Sequence, residues 1–270
     1  MSGFSQKVPL GRTGLMVSRI GIGSAYGVSE RACRMAFDAG VNYFFWGSVR
    51  TPGMGRAIRD VARSRRDELV VVLQCYARLP GWIPKSVEKG LRSLGVDEAD
   101  ILLLGWYDRP PSPKILRAVE RLKEQGRFRF LGISSHQRSL FQRYLRDGCY
   151  DVFHIRYNAA HRGSEQEVFP HLPARGGPGI VSFTNTRWGD LLNPKKMPAG
   201  MSPPTAPDCY RFVLSHPAVH VAICGPKNDD EMAAGLTALK AGPMGEEDLS
   251  RMRVIGDHVH GLPSPMSILT

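Results

Sequence analysis

Eight short apolar segments recur along the chain, and a segment with helical periodicity follows each of them. They occupy residues 20–24, 41–45, 69–74, 101–106, 128–134, 152–157, 179–184 and 219–224. These runs are too apolar to alternate between hydrophobic and polar residues, which is typical of strands covered on both faces. Eight such strands alternating with helices in 270 residues predict an α/β fold, a single-domain (β/α)8 TIM barrel.

The segments between these runs carry helix start and stop signals. The predicted helix over 84–94 has Pro84 in its first turn and ends at Gly95, and the helix over 113–125 ends in the same way at Gly126. A further helix is expected over 165–172. Residues 9–18 predict a short N-terminal hairpin with Thr13-Gly14 at its turn. We expect one barrel domain over residues 1–262 and a loose C-terminal tail over 263–270.

A doubly wound open sheet is the competing fold for an alternating β/α pattern. Its dinucleotide-binding fingerprint is missing, because Gly21-Ile22-Gly23 is not followed by the glycine that GxGxxG requires. One long connection, residues 185–207, would lie at the carboxyl end of a barrel. It is either an active-site lid or an ordinary surface loop.

The net charge of +11 raises the question of nucleic acid binding. The basic residues are dispersed, and the densest cluster, at 63–66, is followed at once by Asp67 and Glu68. We therefore expect a small-molecule ligand, favoured if anionic, and no nucleic acid partner. Five scattered cysteines predict reduced thiols and a cytoplasmic location, with no metal site. No signal peptide and no membrane-spanning stretch is expected.

Five longer segments together resemble the aldo-keto reductase superfamily. They are LGRTGLMVSRIGIGSAYG, AGVNYFFWGS, SLGVDEADILLLGW, EQGRFRFLGISSH and ICGPKNDDEMAAGLTAL, and they occur in the family's order. The resemblance implies a (β/α)8 barrel that transfers hydride from NADPH to an aldehyde or ketone. It also implies NADP(H) as cofactor.

The catalytic tetrad of that family is substituted at every position. The family uses an Asp, a Tyr, a Lys and a His, and the matching residues here are Phe45, Arg50, Cys75 and Gly105. Losing the Asp together with the Lys leaves no unpaired charge in the barrel mouth. The sequence therefore predicts a non-standard active site, either an apolar pocket or a packed, inactive one. Phe45, Trp46 and Trp106 are its expected walls, with Arg50 at the rim.

The positions that bind the cofactor in the family are better preserved. Ser134 and Ser135 match the pair that holds the nicotinamide carboxamide, His154 replaces a Gln, and Phe183 matches the aromatic residue that stacks on the nicotinamide. The stretch that meets the adenosine 2′-phosphate in the family is matched by Gly225, Lys227 and Asn228.

Hydride transfer would need a new group to protonate or polarise the substrate. Tyr76 and Tyr107 lie next to lost tetrad positions, and Arg50 could stabilise a developing oxyanion. Three functions stay open at this point. The chain is an NADP(H)-dependent oxidoreductase with a rebuilt proton donor, a non-catalytic nucleotide-binding barrel that acts as sensor or partner subunit, or an enzyme of another reaction type without nicotinamide.

Overall fold

A closed barrel of eight parallel strands forms the centre of the molecule. The computed structural model describes residues 3–47 and 51–263. Each barrel strand pairs with the strand that precedes it in the chain, and the last one closes on the first. The strands are β3 (Ile20–Gly23), β4 (Tyr43–Trp46), β5 (Val70–Cys75), β6 (Ala99–Leu104), β7 (Phe128–Ser135), β8 (Val152–Arg156), β9 (Gly179–Phe183) and β10 (Val221–Cys224). The predicted fold class and all eight predicted strands are confirmed.

Helices cover the outside of the barrel. They are α1 (Glu30–Asp38), α2 (Pro52–Arg65), α3 (Trp82–Leu94), α4 (Pro113–Glu124), α5 (Ser139–Asp147), α6 (Ser164–Glu167), α7 (Ala206–Ser215), α8 (Asp229–Leu236) and α9 (Glu246–His260). Their ends follow local chemistry. The Ser112 hydroxyl caps α4 by accepting the Ile115 N–H, and Gly95 ends α3 at φ 65°, in the left-handed region that favours glycine.

Two hydrophobic cores result from the alternation of side chains along each strand. In β5, Val70 and Val72 point into the barrel, while Val71, Leu73 and Cys75 pack between barrel and helices. Because successive strand residues face opposite sides, this alternation decides which residue of each strand reaches the barrel mouth.

The short hairpin covers the amino-terminal end of the barrel. Its strands are β1 (Val8–Pro9) and β2 (Met16–Val17), which pair antiparallel. Leu10 and Leu15 join the inner core, and the Arg12 guanidinium donates to the Asp151 carboxylate over 3.0 Å. With this end closed by the hairpin, a ligand would enter from the carboxyl end. The predicted hairpin is confirmed.

Two predicted segments differ in detail. The helix expected over 165–172 stops at Glu167, because Val168 leaves the helical region at φ −125° and Pro170 lacks an N–H; only a 3₁₀ turn, Phe169–His171, continues it. The long connection at 185–207 is folded into two 3₁₀ segments, Arg187–Leu192 and Pro194–Lys196, with Leu191 buried. The predicted tail lies outside the described residues apart from Pro263. Within the part of the chain that is described, no helix is long and apolar enough to span a membrane.

Candidate active site

A cavity of about 330 Å³ opens at the carboxyl ends of the barrel strands. This is where barrel enzymes place their active sites. Seven residues singled out from the sequence line it: Phe45, Tyr76, Trp106, Ser134, His154, Phe183 and Gly225. Arg50, expected at the rim, lies outside the described residues.

The residue of β5 that faces this cavity is Gln74. Cys75, assigned from the sequence to the lost Lys position, is buried in the outer core and does not reach the cavity. The expectation that Cys75 lies in the site is wrong, because neighbouring residues of a strand face opposite sides. The structure therefore brings the Gln74 amide, and not the Cys75 thiol, to this side of the cavity.

Gln74 occupies the space that two glycines leave open. A Cβ placed on Gly105 would lie 2.8 Å from Gln74 Cδ, and one placed on Gly47 would lie 2.9 Å from Gln74 Oε1. Real Cβ atoms essentially never approach another heavy atom this closely, so a side chain at position 105 would require the Gln74 amide to turn away from its present position. The absence of a side chain at Gly105 thus leaves room for the Gln74 amide.

Two other predicted site residues point away from the cavity. Trp46 is 4% exposed and packs in the outer core between the barrel and the helices. Tyr107 is also buried, and its phenol donates to the Ala77 carbonyl oxygen over 3.1 Å. The predictions of a pocket wall at Trp46 and of a proton donor at Tyr107 are both wrong, because strand alternation and the backbone turn at Trp106 (φ 57°) direct these side chains outward.

Tyr76 remains as the phenol at the cavity mouth. Its side chain lines the cavity and the residue is 53% exposed. Burial of part of the ring raises the pKa of Tyr76, while a hydrogen bond with Gln74 and the charge of Arg78 act in the opposite direction. At neutral pH the phenol is therefore protonated and can donate.

Ser134 and Ser135 have different surroundings. Ser134 lines the cavity, and its Oγ accepts the Trp106 backbone N–H over 2.8 Å, so its own hydroxyl hydrogen is available to another acceptor. Ser135 instead donates to Asp108 Oδ1 over 2.8 Å and does not line the cavity. The sequence placed both at the cofactor, and the structure brings only Ser134 there.

Asp108 organises the loop that follows β6. Its carboxylate accepts from Ser135 Oγ, from the His136 backbone N–H over 2.7 Å, and from Trp106 Nε1 over 2.7 Å. Burial works to raise the pKa of Asp108, but these hydrogen bonds and the charge of His136 outweigh it and the pKa is lowered. Asp108 was not predicted as a functional residue, although a single Asp two positions after the predicted strand over 101–106 was a visible signal.

A buried pair lies below the cavity floor. The Tyr43 hydroxyl and His154 Nε2 are 2.8 Å apart, and the edge of the His154 ring meets the Phe45 ring with centroids at 5.1 Å. Burial lowers the pKa of His154 to about 3, so the imidazole is neutral at pH 7. Tyr43 was not predicted as a functional residue.

The loop after β9 has an unusual backbone. Thr184, Arg187 and Trp188 have φ of 59°, 50° and 56°, a region that non-glycine residues seldom adopt. Thr184 and Trp188 line the cavity, and the Arg187 guanidinium donates to the carbonyl oxygens of His260 and Leu262 at the end of α9. Such strain persists only where surrounding contacts hold it, and it is concentrated at functional sites.

The start of α8 is rich in carboxylates. Asn228 caps the helix by accepting the Glu231 N–H, and the Glu231 carboxylate accepts the Lys227 backbone N–H over 2.9 Å. Asp229 accepts from Ser29 Oγ and pairs with Arg31. Gly225, just before, lines the cavity, and the Tyr26 ring lies against it.

These positions can be tested against a nicotinamide cofactor. Ser134 on β7 offers a free hydroxyl hydrogen and Phe183 on β9 an aromatic ring to the same cavity, which fits a planar ring bearing a carboxamide. The loop at Lys227, before α8, fits less well with a phosphate monoester, because the Lys227 backbone N–H already donates to the Glu231 carboxylate.

Comparison with known proteins agrees with this architecture. Residues 25–195 match the sequence profile of the Aldo/keto reductase family. L-galactose dehydrogenase of Arabidopsis thaliana is 26% identical, over 96% of this chain and 97% of the relative. NADH-specific methylglyoxal reductase of Escherichia coli is 25% identical, over 61% of this chain and 63% of the relative.

Solved structures show the same fold. An aldo-keto reductase from Bacillus halodurans in its holo form superposes with a TM-score of 0.77 at 21% identity, covering 93% of this chain and 96% of that one. An aldo/keto reductase from Klebsiella pneumoniae, in complex with NADP and acetate, gives a TM-score of 0.74 at 20% identity, covering 93% and 96%.

Proposed function

The chain belongs to the aldo/keto reductase family, and on that premise we propose that it is a nicotinamide-dependent oxidoreductase in which Tyr76 and Gln74 replace the missing tetrad. One observation carries the proposal. The cavity has Ser134 and Phe183 on one side and the Gln74 amide beside Tyr76 on the other. Strands β5 and β9 are four strands apart in the ring of eight, so Gln74 and Phe183 face each other.

The nicotinamide, when bound, supplies the hydride. Ser134 would donate its hydroxyl hydrogen to the carboxamide oxygen, and the Phe183 ring would lie against the nicotinamide plane. His154 has Nε2 engaged with Tyr43, which fixes the ring on the cavity floor. Phe45 beside it excludes water from the reacting atoms, and this strengthens every hydrogen bond made there.

The proton would come from Tyr76. Its phenol lies at the mouth, where a substrate carbonyl oxygen would project, and the Gln74 N–H groups offer a second hydrogen bond to that oxygen. Because burial raises the pKa of Tyr76 and no Lys opposes it, the phenol is a weak acid. We therefore assign substrates that need little acid assistance, such as an activated carbonyl, an enone or an imine.

The relatives do not decide which nicotinamide dinucleotide is used. The Klebsiella pneumoniae protein was solved with NADP, whereas the Escherichia coli relative is named NADH-specific. The expectation of NADP(H) rests on Lys227. Against it, the first turn of α8 carries Asp229, Asp230 and Glu231, which would repel a 2′-phosphate. The local charges thus favour NADH, with NADPH as the weaker ligand.

A titration with both cofactors tests the proposal. We expect NADH to bind, Ser134→Ala to weaken binding several-fold, and Ser135→Ala to act less, because Ser135 points to Asp108. Glu231→Gln should improve NADPH binding relative to NADH. No binding of either dinucleotide at millimolar concentration would contradict a nicotinamide-dependent function. Binding without turnover of any activated carbonyl, enone or imine would favour the non-catalytic barrel instead.

A further inference from the structure

Arg156 follows the cavity residue His154 by two positions on β8. It is the last residue of β8 and has the same parity as Val152 and His154, which face the barrel interior. His154 lines the cavity, so Arg156 lies one step further toward the mouth on the same face. In the neighbouring strand it pairs in register with Phe183, another cavity residue.

No counter-charge accompanies this guanidinium in the described part of the chain. Within residues 3–47 and 51–263, no carboxylate lies within 4.0 Å of Arg156, whereas Arg138 beside it is paired with Glu167 at 2.8 Å. At longer range, the positive charges of Arg138 and Arg187 disfavour the charged form of Arg156, and the negative charge of Asp108 favours it. A half-buried guanidinium without a partner is costly unless something else binds it.

Arg187 adds a second under-compensated cation. It is 4% exposed, and its Nε and Nη1 have no hydrogen-bond acceptor in the described structure. The carboxylate of Asp190 is 3.9 Å from Nε, but it is shared with Lys196, which binds it at 2.7 Å. One carboxylate therefore balances the buried Arg187 and the partly buried Lys196.

The neighbouring imidazoles of His161 and His136 are uncharged near neutral pH, so the positive charge in this region comes from the guanidinium groups. The rings of His161 and His260 meet edge to face at 5.4 Å, and the His260 carbonyl accepts from Arg187. Burial, together with the charges of Arg156 and Arg187, lowers the pKa of His161 to about 3, so it is neutral near pH 7. His136, whose ring lies against Phe183 and Trp106 in the cavity wall, has its pKa lowered by burial and by Arg156.

We infer that the rim at Arg156 binds an oxyanion, a carboxylate or phosphate on the substrate, while the reacting carbon of that substrate lies in the cavity. Arg156 is the contact residue, because a guanidinium accepts an oxyanion through two parallel N–H bonds. The positive charges of Arg187 and Arg138 add to the attraction for the anion without contacting it. As an assignment of substrate class this rests on the proposed function, but the anion site itself does not need the cofactor.

Anion binding without cofactor is the first test. Isothermal calorimetry of the full chain with inorganic phosphate and with oxalate should show binding of one or both. Arg156→Gln should weaken it about tenfold or more, which corresponds to about 1.4 kcal/mol, and Arg156→Lys should retain part of it. Arg146→Gln, an exposed residue of α5 with the same change in net charge, is the control and should leave binding unchanged.

The outcomes separate the two proposals. Phosphate binding alone indicates a phosphorylated substrate, and oxalate binding alone indicates a carboxylic acid. No binding, or equal losses in the Arg156 and Arg146 variants, overturns the anion site whatever the cofactor result. If the enzyme turns over, kcat/KM for an anionic carbonyl compound should exceed that for its uncharged analogue, and Arg156→Gln should abolish this preference.

Discussion

The Tyr43 hydroxyl lies 2.8 Å from His154 Nε2 across the barrel, joining strand β4 to the strand opposite it. Both side chains are fully buried, with no other polar group hydrogen-bonded to Tyr43 in the described structure. A buried pair of this kind stabilises the fold chiefly because breaking it leaves one polar atom unsatisfied.

Tyr43→Phe should lower the free energy of unfolding by about 1–3 kcal/mol, because His154 Nε2 then has no partner in the apolar interior. Urea denaturation measures this. Tyr26→Phe, at a half-exposed position, is the control and should change stability by less than about 0.5 kcal/mol. An unchanged midpoint for Tyr43→Phe would show that the pair contributes nothing.

The burial of His154 also makes stability depend on pH. His154 has a pKa of about 3 in the folded chain and an ordinary value of 6.5 when unfolded. Between these values the unfolded chain binds a proton that the folded chain excludes. Stability should therefore fall as pH falls below 6.5, by up to about 1.4 kcal/mol per pH unit for this group.

His154→Gln should flatten that dependence by the share of one group. Urea denaturation at a series of pH values between roughly 6 and 4, below the ordinary pKa of a histidine, measures the two slopes. Equal slopes in the wild type and in His154→Gln would mean that His154 takes up its proton at the same pH in the folded and in the unfolded chain. Its burial would then contribute nothing to the pH dependence.

Gly105 and Gln74 should behave as a coupled pair. Gly105→Ala places a Cβ 2.8 Å from Gln74 Cδ, and because the flexible Gln74 side chain can turn away, we expect a loss near the low end of the about 1–3 kcal/mol typical of overpacking. Combining it with Gln74→Ala removes the overlap, and the double variant should be more stable than the sum of the single changes predicts. Additive effects in this cycle, measured by denaturation, would show that the amide is not held over Gly105.

Tyr76 and Tyr107 separate catalysis from packing. With an activated carbonyl substrate, Tyr76→Phe should lower kcat, but by less than the about 100-fold typical of general acid catalysis, because this substrate needs little acid assistance. Cofactor affinity should not change. Tyr107→Phe is the matched control, because that phenol donates to the Ala77 carbonyl oxygen outside the cavity. If Tyr76→Phe retains full kcat, another group supplies the proton.

The sequence by itself determined the succession of strands and helices. Apolar runs bounded by glycine predict the strands, and capping residues such as Ser112 and Gly95 predict where helices begin and end. These signals depend only on residues that are close together in the chain. It also located Phe45 near the end of β4 and Gly105 directly after β6.

Only the tertiary structure decided which neighbour in each strand faces the cavity. Gln74 rather than Cys75 faces inward, Trp46 and Tyr107 face outward, and Ser135 is bound to Asp108. In a strand covered on both faces the inner and outer residues are equally apolar, so the pattern carries no parity. Barrel closure sets that parity, and the contacts between Tyr43 and His154 and between Gln74 and Gly105 arise because closure brings together residues that are distant in the chain.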